Sequence, residues 1–341
     1  MDGSCAPGGA EAIHRRSDAT IRELLSSYMS PHSSATGNRA SAISFVPSPG
    51  ILWGFLGVVA FSLTVPLTRV AVLGGMPALF AGVGRAVVAS ALAALALGAT
   101  RQRLPNGMQW ARLAVIASGV VVGFPLLTSY ALTTASASHS AIVIALLPAT
   151  TAVVAVVRGK EKVRRAFWLM AVVGASAASA FSFVRSGGWS VPQWSDLLLL
   201  AAVVSAAIGY AEGGLLSREL GSWQTVSWSL ILALPVTVPL TLLSLDGLSE
   251  IEPKAWAAFG YLASISMYLG FFAWYRGLAI GPIANVSQVQ LVQPVLSLGW
   301  AAAILHEYLT LSSALGGAVV VVCAAMTVRT RSVPEGPRAR K

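Results

Sequence analysis

The sequence predicts an all-α membrane protein with ten transmembrane helices arranged as two inverted five-helix repeats. Three observations lead to this prediction. Hydrophobic residues make up 55% of the 341-residue chain and charged residues only 11%, whereas a soluble domain carries about 25% charged residues. Apolar runs of about 20 residues, the length that spans a hydrocarbon core, recur along the chain. One arrangement of proline and glutamate occurs in both halves.

The apolar runs predict helices. They are about twice as long as the strands of an outer-membrane barrel, and they do not alternate in polarity as such strands do. Short connections that carry glycine, proline or charged residues separate them. The predicted spans are 51–70, 78–99, 110–132, 139–157, 166–185, 196–217, 223–244, 256–279, 283–304 and 311–328.

The two ends of the chain differ from this apolar body. Residues 1–49 are polar and rich in serine, alanine and glycine, without the apolar core of a signal peptide. We predict that they form a disordered cytoplasmic tail, and Met29 is an alternative start to Met1. Residues 330–341 form a second, basic tail.

Lysine and arginine predict the orientation. With the N-terminus inside, the inside segments outnumber the outside segments in basic residues by about six to one, which is a strong positive-inside bias. Only Arg69, Arg185 and Lys254 fall outside. Both termini are therefore predicted to be cytoplasmic. Basic residues lie in short clusters between spans, not on one face, so nucleic acid is not an expected partner.

The internal repeat follows from spacing. Pro148 precedes Glu161 by the same interval at which Pro294 precedes Glu307. Aligning these pairs gives a first repeat over 50–186 and a second over 194–329. Because each repeat holds five spans, an odd number, the second must enter the membrane from the opposite side. Inverted repeats of this kind are the architecture of many secondary transporters.

Three segments carry a resemblance to a known family: "LLPATTAVVAVVRGKE", "IANVSQVQLVQPVLSLGWAAAILHEYLTLSSALGGAVVVV" and "MPALFAGVGRAVVASALAAL". The chain resembles the drug/metabolite transporter superfamily, EamA type, over about residues 50–328. In that family the fourth helix of each repeat carries a proline and ends at a glutamate. Its second helix carries an arginine, here Arg85, although the second repeat of this chain lacks a matching arginine.

The resemblance implies a secondary active transporter of the inner membrane that exports a small organic metabolite or drug by alternating access, with proton coupling as an option. The implied partners are that substrate and the lipid bilayer, without a cofactor or a metal, and a homodimer is left open. A passive facilitator and a non-transporting signalling or scaffold protein remain alternatives.

Pro148 and Pro294 are predicted to bend their helices towards the centre, because proline frees a backbone carbonyl that lipid cannot satisfy. A structural kink is the alternative.

Charged residues within spans are costly and usually face a partner or an aqueous cavity. We therefore take Arg85 and Arg276 as candidate substrate ligands and Glu212 as the candidate proton-coupling residue. A structural ion pair of Glu212 with Arg276 or Arg218 is the alternative.

The predicted ninth span is unusually polar. Gln290, Gln293 and Ser297 recur at helical spacing and share one face, whereas the aligned positions of the fourth span are apolar. This asymmetry favours a substrate-binding face over polar packing between helices. Tyr210 and Trp274 are further candidates for the same cavity.

Glu161 and Glu307 lie at span ends, so structural roles are expected for both.

An enzyme is not predicted. "GAS" at 174–176, with His139 or His306 as a base, would suit an intramembrane protease, but spans rich in small residues contain Gly-x-Ser by chance. "RGKEK" lacks the glycine and the hydroxyl residue of a nucleotide-binding loop.

Overall fold

The computed structural model describes residues 49–159, 165–166, 168–169, 172–173, 176, 193–246, 248–280, 286, 289–308 and 311–331. All regular structure in these residues is helical, which confirms the predicted all-α class. The helices are α1 (Pro49–Leu73), α2 (Phe80–Thr100), α3 (Gly107–Ala131), α4 (Ala137–Arg158), α5 (Trp194–Leu220), α6 (Ser222–Leu242), α7 (Pro253–Ile280), α8 (Gln290–Leu305) and α9 (Leu311–Arg331).

Seven helices, α1 to α7, are long and apolar enough to cross a membrane, judged by length and composition. Helix α8 is shorter, and α9 contains a short apolar stretch, Ala314–Cys323. The predicted span 166–185 lies mostly outside the described residues, as do Glu161 and nearly all of both predicted tails. The multi-pass membrane class is therefore supported, while the count of ten spans stays a prediction.

Prolines coincide with interruptions in three helices. Proline lacks a backbone N–H, and its ring clashes with the carbonyl four residues earlier. Helix α1 is interrupted at Leu63, between Pro49–Ser62 and Thr64–Leu73, ahead of Pro66. Helix α4 stops at Ile144 and resumes at Leu147, directly before Pro148. Helix α8 begins with a 3₁₀ turn that ends just ahead of Pro294.

Three other helices contain π-helical segments, which are Phe80–Gly84 in α2, Ala117–Gly123 in α3 and Leu262–Gly270 in α7. A π segment widens the helix and often lies at a functional site. Arg85 directly follows the first of these segments.

The helices of the two halves pack against one another in a regular pattern. The most extensive contacts join α1 to α7, α3 to α5, α2 to α6, α4 to α5 and α1 to α8. Matching α1 with α5, α2 with α6, α3 with α7 and α4 with α8 maps this set onto itself. The pair α1–α7 exchanges with α3–α5, the pair α4–α5 exchanges with α1–α8, and α2–α6 maps onto itself. This is the pattern expected of two repeats related by a two-fold axis.

Small residues let the paired helices approach closely. A Cβ added to Gly277 of α7 would lie 2.6 Å from the backbone nitrogen of Gly54 in α1. A Cβ added to Gly119 of α3 would lie 2.5 Å from the carbonyl oxygen of Ser205 in α5. Both pairs of helices therefore meet backbone to backbone.

We expect Gly277→Ala to lower the apparent thermal unfolding temperature of the detergent-purified protein. The new methyl group would press on the backbone of α1, and overpacking of this kind costs about 1–3 kcal/mol. Gly260→Ala is the matched control, because its Cβ meets nothing within 4 Å and alanine is favoured over glycine in a helix by about 1 kcal/mol. Equal unfolding temperatures for the two variants would contradict the close approach of α1 and α7.

Candidate functional site

A polar hollow, here called the arginine hollow, lies where the helices of the two halves meet. In this conformation it is narrow, and a water-sized sphere can be centred in only about 20 Å³ of it. Its polar side chains come from α1, α2, α5, α7 and α8, and they are Thr64, Arg85, Tyr210, Ser266 and Gln293. Thr64 and Ser266 share a buried hydrogen bond of 2.7 Å that ties α1 to α7.

A second hollow, here called the proline hollow, adjoins the first and is smaller, with about 10 Å³ of such space. Pro148 and Pro294 both line it, together with Gln290 and Ser297. The two hollows share Gln293 and a valine of α1, so they are neighbours. The interrupted segments of α4 and α8 thus meet at one place, on the inside of the helix bundle.

Gln290 and Gln293 carry amide groups that the described residues do not satisfy. Gln290 is 2% exposed, and neither its amide oxygen nor its amide nitrogen has a hydrogen-bond partner in that part of the chain. The amide oxygen of Gln293 is in the same situation. Because most buried polar side chains are hydrogen-bonded, these amides are available to a ligand.

Ser297 has a different environment from the two glutamines. Its hydroxyl donates to the carbonyl oxygen of Ser62 at 2.8 Å. Pro66 lacks the N–H that would otherwise bond this carbonyl within α1. Ser297 therefore satisfies a carbonyl that a proline has freed, and it joins α8 to α1.

Arg85 is almost fully buried, with 1% of its surface exposed, and it lines the arginine hollow. Its Nε donates to the carbonyl of Gly82 at 3.3 Å, and one terminal nitrogen contacts the hydroxyl of Thr68 at 3.5 Å. The other terminal nitrogen has no partner among the described residues.

Aromatic side chains form one wall of the arginine hollow. Tyr210 stacks on Phe61 with ring centroids 6.3 Å apart and meets Phe271 edge-on at 5.8 Å. Trp274 packs behind Tyr210, at 5.9 Å, and against the backbone of α1 at Gly57. Tyr210 thus lies at the hollow, whereas Trp274 supports it from behind.

Glu212 lies away from both hollows and is paired. Its carboxylate bonds to Arg112 of α3 and, at 3.3 Å, to Arg158 of α4. The alternative of a structural ion pair is thus found in this conformation, but with Arg112 and Arg158 in place of Arg276 or Arg218, whose side chains are exposed. Arg112 and Arg158 belong to the basic segments that the sequence assigns to the cytoplasmic side, so Glu212 belongs to a cluster at that end. Arg276 lies on the outside of the bundle rather than in the candidate cavity.

The opposite ends of the helices carry a second set of polar contacts. The two carboxylate oxygens of Glu307 accept from the backbone N–H groups of Ala137 and Ser138, each at 2.8 Å, and so cap α4. His306, with φ of 52°, turns the chain there. The structural role expected of Glu307 is confirmed by this cap.

A buried histidine–aspartate pair lies near this cap. Nε2 of His139, in the first turn of α4, is 2.6 Å from the carboxylate of Asp196, in the first turn of α5. Sequence reasoning missed Asp196. The available signal was an acid and a histidine that each stand just inside the start of a predicted span.

Elsewhere in the residues that the structure describes, no group of three or more His, Cys, Asp or Glu side chains comes together as a metal site would require.

Comparison with known proteins gives three findings. Residues 48–183 and 193–329 each match the model of the EamA-like transporter family. A Bacillus subtilis (strain 168) protein named "Uncharacterized transporter YdeK" is 42% identical over 281 residues, which are 82% of this chain and 97% of that protein. A solved structure named "Crystal structure of protein" has a similar fold, with a TM-score of 0.57 at 19% identity, over 82% of this chain and 96% of that one.

The unsatisfied amides generate a prediction about stability. Replacing Gln290 by methionine, which has a similar shape, should leave the apparent unfolding temperature unchanged or raise it, because an unsatisfied buried polar group costs about 1–3 kcal/mol. Ser297→Ala is the contrasting variant. It leaves the Ser62 carbonyl without its donor and should lower that temperature. A loss of stability in Gln290→Met as large as that in Ser297→Ala would show that the amide serves packing.

Proposed function

The chain belongs to the EamA-like transporter family, and on that basis we propose that it is a secondary active transporter that moves a small organic molecule by alternating access. The observation that carries this proposal is the pair of adjoining hollows between the two halves. Their walls combine a guanidinium that has no ion-pair partner among the described residues, amides whose polar atoms are unsatisfied in that part of the chain, and aromatic rings. Transporters built from inverted repeats bind their substrates at such a repeat interface, near interrupted helices. The paired helix contacts described above support an inverted repeat in this chain.

Helix α4 supplies the moving part in this proposal. Its first segment is held at the outer end by the Glu307 cap and by the His139–Asp196 pair. Its second segment carries Arg158, which bonds Glu212 at the inner end. The interruption before Pro148 lies between these two anchors, beside the proline hollow. Release of one anchor would let that segment move while the other stays anchored, which is what alternating access requires.

Export is the direction that we propose, on the family resemblance. Glu212 is our candidate for proton coupling, although it is paired with two arginines in this conformation. When the inner end opens, Arg158 would leave with its half of α4. Glu212 would then be paired with Arg112 alone and become able to bind a proton. The coupling in this proposal thus depends on the contact between Arg158 and Glu212, which also holds the inner end closed.

A metabolite screen in proteoliposomes with an imposed pH gradient tests this function. We expect the wild-type protein to concentrate a metabolite in response to the gradient, and Glu212→Gln to lose this accumulation at normal membrane levels. Glu219→Gln is the matched control, because Glu219 bonds the same Arg112 at 2.5 Å but has an exposed side chain. It should accumulate substrate normally.

Three outcomes of that screen count against parts of the proposal. Equilibration of a metabolite without accumulation would identify a passive facilitator. Absence of any transport would favour a signalling or scaffold protein. Full gradient-driven accumulation by Glu212→Gln would remove proton coupling from this residue and leave it a structural role.

We further propose that the protein lies in the inner membrane with both termini in the cytoplasm, on the strength of the basic residues at the ends of α2, α4 and α9. A reporter active only in the cytoplasm should be active when inserted in the connection at 101–106 or fused to the C-terminus. It should be inactive in the connection at 243–252. Activity at 243–252 would reverse the orientation, and activity at all three sites would contradict the predicted topology.

A further inference from the structure

Arg85 is a buried charge whose hydrogen-bonding capacity is largely unused. A guanidinium has five N–H donors in a fixed plane. Two of its nitrogens reach neutral oxygens at 3.3 and 3.5 Å, which are long contacts, and the third reaches no partner in the described residues. These contacts come from Gly82, in the preceding helical turn, and from Thr68 of α1. They hold the side chain in place without neutralising it.

No carboxylate forms an ion pair with Arg85 within the part of the chain that the structure describes. Arg85 forms no ion pair there, and neither hollow has an aspartate, a glutamate or a histidine in its wall. Arg112 shows the contrast, because it is less deeply buried and yet bonds two carboxylates. Buried charges in proteins are normally paired, so the arginine hollow lacks a counter-ion.

The residues around Arg85 indicate what kind of small molecule could occupy the arginine hollow beside the guanidinium. The wall of the arginine hollow includes the rings of Phe61, Phe124, Tyr210 and Phe271. These rings offer an apolar surface to the body of a small molecule. Gln293 adds an amide oxygen that is unsatisfied among the described residues, on the side of the proline hollow. The combination is one cationic end and one largely aromatic wall.

We propose that the arginine hollow, when it widens during the transport cycle, binds a small organic monoanion, with its carboxylate on Arg85 and its apolar body against the aromatic wall. This inference rests on the proposed transport function and names its substrate class. A guanidinium presents two parallel N–H groups that match the two oxygens of a carboxylate. An amine or another organic cation is disfavoured, because these walls offer no acid to pair with it and Arg85 would repel it.

Binding to the full-length protein in detergent and chloride-free buffer tests the proposal with three probes of one shape. Phenylacetate carries the anion, phenylacetamide is its neutral counterpart, and phenethylamine is the cation. Titration calorimetry should show phenylacetate binding at least about tenfold more tightly than phenylacetamide, since charge-assisted hydrogen bonds are about twice as strong as neutral ones. Phenethylamine should show no binding.

Variants at position 85 assign the preference to the arginine. Arg85→Met should abolish the preference for phenylacetate, and Arg85→Lys should keep part of it, because an ammonium retains the charge but not the planar fork. Arg218→Met is the control, as Arg218 is exposed and absent from the hollow wall, and it should bind like the wild type. Without ligand, Arg85→Met should unfold at the same or a higher temperature, because it removes an uncompensated buried charge.

The proposal is overturned if phenylacetate does not bind at millimolar concentrations, if the three probes bind equally, or if Arg85→Met keeps the anion preference. Should Arg85→Met fail to fold, the structural role of the arginine is favoured and Arg85→Lys alone decides on binding. The binding assay does not depend on transport. If the protein binds phenylacetate but moves no metabolite, only the transport function is refuted. If the wild-type protein accumulates amines and Arg85→Met accumulates them equally well, only the anion site is refuted.

Discussion

Lipid offers no hydrogen bonds, so every polar group that these helices carry into the membrane must find its partner inside the protein. At two places where helical hydrogen bonding is interrupted, the partner comes from the other half of the chain. The Ser62 carbonyl, which Pro66 leaves without a helical donor, accepts from Ser297 of another helix. At the start of α4, the free N–H groups of Ala137 and Ser138 are capped by Glu307 from the other half. These two backbone irregularities thereby become contacts between the halves.

The same constraint separates two groups of polar side chains. Ionised groups near the helix ends have partners, as Glu212 has in Arg112 and Arg158 and as Asp196 has in His139. Between these ends lie Arg85 and Gln290, whose polar atoms are partly or wholly unsatisfied within the described residues. Stability alone would not retain such groups, because apolar side chains of similar volume would pack there at lower cost. Their grouping around two adjoining hollows is what a binding site would require.

Some of this was predictable from the sequence, and the reason differs from residue to residue. Proline acts on its own helix, so the breaks near Pro148 and Pro294 could be placed from local chemistry. The shared face of Gln290, Gln293 and Ser297 follows from helical periodicity alone. The partners of Glu212 could not be found in this way, because Arg112 and Arg158 come from helices of the other half. The sequence assigns both to solvated basic segments, and only the packing of α5 against α3 and α4 brings them to the carboxylate. Asp196 was missed for the same reason, because its structural role is to pair with His139, which is remote in sequence.

Arg85 has no ion-pair partner in the described part of the chain, which gives a physical reason why movement and cargo should be linked. A bare arginine in a hollow with apolar walls is costly, by at least about 2.5 kcal/mol on insertion scales. While the hollow is open to water, Arg85 can be hydrated and this cost is reduced. Closing both ends around an empty hollow would remove that water and restore the cost. An anion bound to Arg85 would neutralise it, so the loaded protein could pass through the closed state more easily than the empty one. A ligand shifts a conformational equilibrium only through such differential stabilisation, and here the difference would come from one guanidinium without a carboxylate of its own.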